Sequence, residues 1–163
     1  MGTFLEPLAE GHGRACIDIY NHYVDHGFAS FREAQLPYAA FDRFLAMAHG
    51  YPAYACLGDD RAVEGFGFLH AWHPSECFHR TAEATYFLHP DATRRGVGTL
   101  LLTRLLEDAA ARKIQRVLAS ISSRNAESLA FHLKHGFAEC GRFPRIGHKH
   151  GQDFDVVWMI KRL

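Results

Sequence analysis

A mixed α/β domain, one central β-sheet with helices packed on its faces, is the fold class this sequence predicts. Short β-prone runs alternate with segments of helical periodicity, and no repeat, low-complexity tract or linker interrupts them. At 163 residues and 48% hydrophobic content the chain is the size of a single domain, residues 1–163, with enough apolar side chains for one core.

Residues 3–7 read as a short edge strand. Residues 11–26 carry Ala15, Ile17, Ile19, Tyr20, Tyr23 and Val24 at helical spacing, and Gly27 breaks that helix. A polar-aromatic loop covers residues 28–33. Leu36-Pro37 then leads into a second helical pattern marked by Phe41, Phe44, Leu45 and Ala48 and closed by Gly50 and Pro52. Residues 54–57 and 63–69 are β-like and flank the polar turn G-D-D-R, which makes them an antiparallel hairpin. Residues 83–88 (E-A-T-Y-F-L) form another strand, ended at His89-Pro90-Asp91 because proline cannot continue a ladder. Over residues 100–112, Leu101, Leu102, Leu105, Leu106 and Ala109 recur at steps of three and four, the mark of a helix with one buried face. Residues 117–121 make a strand, residues 123–125 cap a helix that reaches His135, and Gly136 stops it. Residues 137–140 and 154–160 supply the last strands.

Eighteen basic residues balance eighteen acidic ones without a run of like charge, which argues against a nucleic-acid surface or a polybasic membrane anchor. No apolar run approaches the roughly 18–20 residues of a membrane span. Residues 1–10 hold Glu and Pro rather than the apolar core of a signal peptide. Cys16, Cys56, Cys77 and Cys140 are widely spaced in apolar contexts and lack a C-x-x-C pair, so they read as reduced core thiols of a soluble, cytoplasmic protein. The twelve histidines lack metal-ligand spacing, and no metal is expected.

The stretch that carries chemistry is R-R-G-V-G-T, residues 94–99, between a strand and a helix. Two glycines bring the backbone close to a ligand, and the free N–H groups and dipole of the helix start favour an anion, most naturally a pyrophosphate. Arg94 and Arg95 add full charges at its mouth. The Walker loop requires Lys and Ser or Thr after its second glycine, and the dinucleotide fingerprint requires a third glycine and a later acidic residue; neither pattern is present.

With Gly96 and Gly98 as its glycines, this turn resembles the coenzyme A loop of the GNAT N-acetyltransferase superfamily, Q/R-x-x-G-x-G/A, except that Thr93 stands where Gln or Arg is usual. Further blocks are similar to one branch, the phosphinothricin and methionine sulfoximine N-acetyltransferases, over most of the chain. I-Y-N-H-Y-V at residues 19–24 looks like that branch's first helix, and S-F-R at residues 30–32 resembles its substrate loop. W-H-P-S-E-C-F-H-R-T-A-E at residues 72–83 is similar to W-R-P-F-x-G-F-R-x-T-V-E. N-A-E-S-L-A-F-H-L-K-H-G-F at residues 125–137 resembles the helix beside the pantetheine arm. G-H-K-H-G at residues 147–151, with D-V-V at residues 155–157, resembles the closing G-F-K-x-G and D-V segments.

The resemblance implies the GNAT fold, acetyl-CoA as cosubstrate, a small-molecule amine as acceptor and a homodimer. It assigns Arg94, Arg95, Gly96, Val97, Gly98 and Thr99 to the cofactor, together with Asn125 and Ser128 of the following helix. Asn125 also caps that helix. Acetyl transfer to an amine requires a base, donors for the developing oxyanion and a proton for the departing thiolate. Glu83 is the candidate base, acting through water, with a solvated strand-end carboxylate as the alternative. Backbone N–H groups around Phe87 and Leu88 are the expected oxyanion donors. His132, four residues before Gly136 where many GNAT enzymes have tyrosine, is the candidate acid, with a helix-surface histidine as the alternative.

By resemblance Phe31, Arg32, Trp72, His73, His79, Arg80 and His150 fall on the substrate side, with His73 and His79 replacing two family arginines. Alternatively these two histidines are ordinary rim residues. The expected activity is N-acetylation of the α-amino group of a small amino acid or analogue. Acetylation of a protein N-terminus or another metabolite amine, and a catalytically silent acyl-CoA-binding module, are the alternatives.

Overall fold

Glycine and proline mark where each element of the computed structural model starts and stops, over the described residues 2–163. Strand β1 (Phe4–Pro7) leads through a 3-10 turn into helix α1 (Gly13–Asp25), which ends as Gly27 turns left-handed. Helix α2 (Phe41–Ala48), hairpin strands β2 (Ala53–Leu57) and β3 (Val63–Ala71), and strand β4 (Thr81–Leu88) follow. Helix α3 (Val97–Ala111), strand β5 (Arg116–Ser122), helix α4 (Ala126–Lys134), and strands β6 (Ala138–Lys149) and β7 (Gln152–Arg162) complete the chain.

The strands form one seven-stranded sheet in the order β1-β2-β3-β4-β5-β7-β6. Every neighbouring pair is antiparallel except β4 and β5. Successive side chains of a strand point to opposite faces, so each strand feeds two cores. On one face Cys16, Ile17 and Phe41 from α1 and α2 pack with Phe66 and Phe68 of β3. On the other, Val97, Leu101 and Leu105 of α3 pack with Leu69, Val117 and Met159. Burial of these apolar side chains is the main favourable term for the fold.

Three local features differ from the sequence reading. Helix α3 begins at Val97 rather than residue 100, because Gly96 adopts φ +83° and starts the helix directly. Strand β6 runs to Lys149, far past residue 140; it is an edge strand with almost every side chain exposed, so no alternation announces it, and Pro144 is tolerated there. Cys77 and Cys140 are exposed rather than core thiols, one in the 3-10 turn Glu76–Phe78 and the other on β6, whereas Cys16 and Cys56 are buried. Among the described residues no helix is long and apolar enough to cross a membrane.

The β6–β7 hairpin turns through His150 and Gly151, both at positive φ, as a two-residue hairpin loop demands. Just before that turn Lys149 is buried, 1% exposed, and its ammonium donates to the carbonyls of Tyr23 at 2.9 Å and Ser30 at 2.8 Å. The hairpin end is thereby fastened to α1 and to the loop that carries Phe31. Gly147 lies against the Phe154 ring, where an added Cβ would fall 2.1 Å from Cζ, while Gly141 on the same strand faces open space. Gly147→Ala is expected to cost about 1–3 kcal/mol by overpacking. Gly141→Ala is expected to stay within about 0.5 kcal/mol; urea unfolding of the two variants checks both.

Candidate active site

Pairing of β4 with β5 covers only Thr81↔Arg116, Ala82↔Val117 and Glu83↔Leu118. Beyond Glu83 the strands part, and the opening is a cavity of about 860 Å³ lined by residues 83–88 of β4 and 119–122 of β5. Tyr20, Tyr23, Phe31, Phe44 and Met47 close it on the α1 and α2 side, while the glycine turn and α4 close the other. A second, more open hollow beside the β6–β7 hairpin holds Arg145 and His148, whose side chains are paired with Asp153 at 2.7 Å each.

At the glycine turn Arg94 and Gly96 adopt φ +59° and +83°, which folds the chain back before α3. The first intrahelical bond runs from Leu100 N to the Gly96 carbonyl at 3.0 Å, so the N–H groups of Val97, Gly98 and Thr99 precede the ladder and are available to an anion. Gly96, Gly98, Thr99 and Arg94 line the cavity, and so do Asn125 and Ser128. Asn125 Oδ1 accepts from Ser128 N at 3.2 Å and caps α4. Arg94 pairs with Glu127 at 2.6 Å across the mouth, between two well exposed side chains. Arg95 turns away from the cavity to Glu64, 3.1 Å distant, and the Val97 side chain is buried in the core, so only backbone from those two residues belongs to the turn.

Glu83 lies at the fork itself, and period-two alternation puts it on the same face of β4 as Thr85 and Phe87. Burial pushes its carboxyl up to about 7. Ala84, Tyr86 and Leu88 point to the α3–α4 face, where Phe131 and His132 meet Tyr86. The Nδ1–H of His132 donates to the Ser128 carbonyl at 2.6 Å, which leaves Nε2 as an acceptor, and the Tyr86 hydroxyl donates to it. His132 is 2% exposed, and burial lowers its pKa while raising that of Tyr86. His135, one turn on, repeats the pattern: Nδ1–H donates to the Phe131 carbonyl at 2.8 Å and Nε2 accepts from the Thr99 hydroxyl at 3.0 Å. The contacts of these two rings dock α4 onto β4 and α3.

A family model described as the acetyltransferase (GNAT) family matches residues 16–137. The chain belongs to the acetyltransferase (GNAT) family. An L-methionine sulfoximine/L-methionine sulfone acetyltransferase from Pseudomonas paraeruginosa is 32% identical over 86% of this chain and 83% of its own length. A phosphinothricin acetyltransferase from Sinorhizobium meliloti, solved in complex with acetyl-CoA, superposes with a TM-score of 0.94 at 27% identity, covering 100% of this chain and 89% of that one. A ribosomal-protein-alanine N-acetyltransferase from Brucella melitensis gives 0.91 at 28% identity, with 98% and 99% coverage. The forked sheet and glycine turn are therefore the frame of a GNAT N-acetyltransferase, and acetyl-CoA is the donor that family uses.

Within this GNAT chain the cavity brings together Glu83, Phe87, Leu88, Arg94, Gly96, Gly98, Thr99, Asn125, Ser128, His132 and Phe31. The remaining substrate-side residues named from the sequence do not line it. Trp72, His73 and His79 lie in the exposed segment 72–80, where Trp72 and His73 pack on Phe78 and the Nδ1–H of His79 donates to the Glu76 carbonyl at 2.6 Å. Arg80 ends the same segment and is exposed. Arg32 is exposed, its Nε donating to the Ala34 carbonyl at 3.2 Å. His150 sits in the β6–β7 turn, with its N–H on Glu33 Oε1 at 2.8 Å and its ring against Phe28. A proton-donor role for His132 meets a direct obstacle, since its cavity-side nitrogen carries no proton.

Tyr86 was missed, although E-A-T-Y already places it on the face opposite Glu83. A Cβ on Gly98 would lie 3.3 Å from Leu88 and 3.4 Å from Phe131, and the branches of a larger residue would reach into the cavity. Gly98→Val is expected to weaken coenzyme A binding at least about tenfold, on the order of 1.4 kcal/mol, with only a small loss of melting temperature. Isothermal titration beside a thermal melt checks it.

Proposed function

We propose that the chain, acting as one domain, transfers the acetyl group of acetyl-CoA to the α-amino group of a small amino acid or amino-acid analogue. The observation that carries this reading is Glu83, a carboxyl with a pKa of about 7 at the fork of the sheet, in a cavity continuous with an anion-binding turn. Acetyl-CoA supplies a thioester carbonyl open to attack by a neutral amine. Glu83 takes the amine proton, directly or through water, and passes it to solvent. Backbone N–H groups of β4 around Phe87 and Leu88 hold the developing oxyanion. Tyr86, rather than His132, is the donor to the departing sulfur: its one hydroxyl proton, which rests on His132 Nε2, turns to the thiolate as that charge develops, and its high pKa keeps the proton on oxygen until then. Gly96, Val97, Gly98 and Thr99 hold the pyrophosphate by backbone, Arg94 adds charge, and Asn125 and Ser128 hold the pantetheine arm.

The names of the methionine sulfoximine and phosphinothricin enzymes support an amino-acid-like acceptor. The alanine acetylase of Brucella favours a second reading, acetylation of a protein N-terminus. A silent acyl-CoA-binding module gives no reason to hold a carboxyl near neutrality inside the cavity. We further read the protein as a cytoplasmic homodimer. Free cysteines fit the compartment, and edge strand β6, with Phe143 51% and Ile146 63% exposed, offers the dimer surface.

Because the folded-state pKa of Glu83 is raised to about 7, the base is protonated below that value and ionised above it. The kcat/KM of the parent should therefore rise with pH through a limb near this value, and Glu83→Gln should abolish the limb and lower activity at about pH 8 by about 10²-fold. A thiol-release assay across pH measures it; uniform scaling without loss of the limb would assign Glu83 to positioning. Tyr86→Phe is expected to lower kcat about 10- to 100-fold with little change in KM, the worth of one hydrogen bond to a charged group. Sedimentation at micromolar concentration tests the dimer, and a monomer would count against it.

A further inference from the structure

Resting on the acetyl-transfer reading of the cavity, we infer that His70 is a positioning residue for the acceptor amine: it takes the hydroxyl proton of Thr85 and so leaves the Thr85 oxygen as a hydrogen-bond acceptor for the nitrogen beside Glu83. The register of β3 and β4 sets Phe66 against Phe87, Phe68 against Thr85 and His70 against Glu83. Directly opposed residues of an antiparallel pair share a face, so His70 is the cross-strand neighbour of Glu83 and the diagonal neighbour of Thr85. Phe66 and Phe68 on that face belong to the core under α1 and α2, which makes Glu83, Thr85 and His70 a small polar group at the end of an aromatic surface. Glu83, Thr85 and Phe68 line the cavity, whereas His70, half-buried with its ring centroid 5.8 Å from that of Phe68, is not part of the lining.

Two contacts decide where the protons of this group lie. His70 Nδ1 is 3.1 Å from the Ala71 carbonyl, which can only accept, so Nδ1 carries the ring hydrogen. Burial disfavours the imidazolium, which leaves Nε2 a bare acceptor. Thr85 Oγ1 lies 3.1 Å from Nε2 and donates to it. A hydroxyl has one proton; with that proton committed to His70, what Thr85 offers the cavity is a lone pair. The opposite tautomer would make Nε2–H the donor and free the Thr85 proton, so the Ala71 carbonyl, acting through His70, sets the kind of partner that Thr85 becomes. A neutral primary amine matches the result. Its lone pair forms the new N–C bond as the C–S electron pair leaves with coenzyme A, one N–H proton passes to Glu83, and the second N–H stays on nitrogen into the amide product. Thr85 accepts that retained N–H and, with Glu83, turns the nitrogen lone pair toward the thioester. A secondary amine has one N–H, which goes to Glu83, and brings nothing for Thr85 to accept. The pair thereby favours a primary amine such as the α-amino group of an amino acid.

Two measurements at about pH 8, above the Glu83 limb, test this. Heteronuclear NMR of the protein carrying nitrogen-labelled histidine, with the His70 signals identified by their loss in His70→Phe, is expected to show a neutral ring with its hydrogen on Nδ1; a hydrogen on Nε2 would overturn the inference. Initial rates with acetyl-CoA then compare L-methionine sulfone and phosphinothricin with their N-methyl derivatives. His70→Phe, which keeps a ring beside Phe68 without the acceptor nitrogen, and Thr85→Val are each expected to lower kcat/KM for the primary amines about 3- to 10-fold, and to shrink the preference for primary over N-methyl amine by the same factor, the worth of one neutral hydrogen bond. The double variant should fall no further than either single one, and titration calorimetry should show coenzyme A affinity unchanged in all three. His70→Gln, whose amide oxygen can accept from Thr85, should recover part of the preference. A primary-amine preference that survives intact in both single variants, or losses that multiply in the double variant, would overturn the role of His70 and leave acetyl transfer standing. Coenzyme A binding with no turnover of either amino acid would overturn acetyl transfer to amino acids and this inference together.

Discussion

The short parallel pairing of β4 with β5 is the constraint on which the rest of the structure depends. Each strand has its other edge occupied, β4 by β3 as far as Leu88 and β5 by β7 over its whole length, so separation after Glu83 leaves free backbone only on the two edges that face each other. Those two edges offer backbone donors and acceptors to a ligand that enters the opening. Coenzyme A would suit such an edge, because its pantetheine arm carries amide groups and the turn at Gly96, where α3 opens, would suit its pyrophosphate. The fork thus fixes both the opening of the cavity and the place of Glu83, the last residue before the strands part.

Around that fork the aromatic residues act as separate packing units on the two faces. Phe87 belongs with Tyr20, Tyr23 and Phe66 below α1, whereas Tyr86, one residue earlier, belongs with Phe131 and His132 of α4. One strand therefore supplies two different walls of the same cavity. Lys149 adds a long-range tie, joining the end of the β6–β7 hairpin to the carbonyls at the end of α1 and beside Phe31. Removing its amine would leave those two carbonyls without that donor, which links the last strands of the sheet to the shape of the cavity mouth.

Legibility in the sequence followed how local each determinant is. The helix with Leu101, Leu105 and Ala109, the hairpin around G-D-D-R and the glycine turn all write themselves in spacing or punctuation, and each is present in the fold. Strand β6 leaves no such trace, since an exposed edge strand has no buried side to alternate with. Glu83 was readable as a carboxyl at a strand start, but its raised pKa depends on burial by segments distant in sequence. The segment holding His73 and His79 resembled a substrate clamp residue by residue, yet it forms its own short turn with tilted and edge-on ring contacts to Phe78 and does not line the cavity. The direction of a loop is a tertiary property, whereas the pleat that separates Glu83 from Tyr86 is a local one.

A single physical cause, loss of hydration, acts differently on three groups at the fork because their ordinary pKa values differ. Burial disfavours the charged form of each. A carboxyl starts low, so the shift brings Glu83 up to about 7, into the neutral range. A phenol starts high, so the same shift moves Tyr86 further from neutrality and keeps its hydroxyl a donor. An imidazole loses its charged form instead, which leaves His132 an acceptor that orients that hydroxyl. Glu83 and Tyr86 sit on opposite faces of one strand, so neither can neutralise the other, and in the proposed reaction the pleat of β4 would keep the proton-accepting side of the cavity apart from the side that donates.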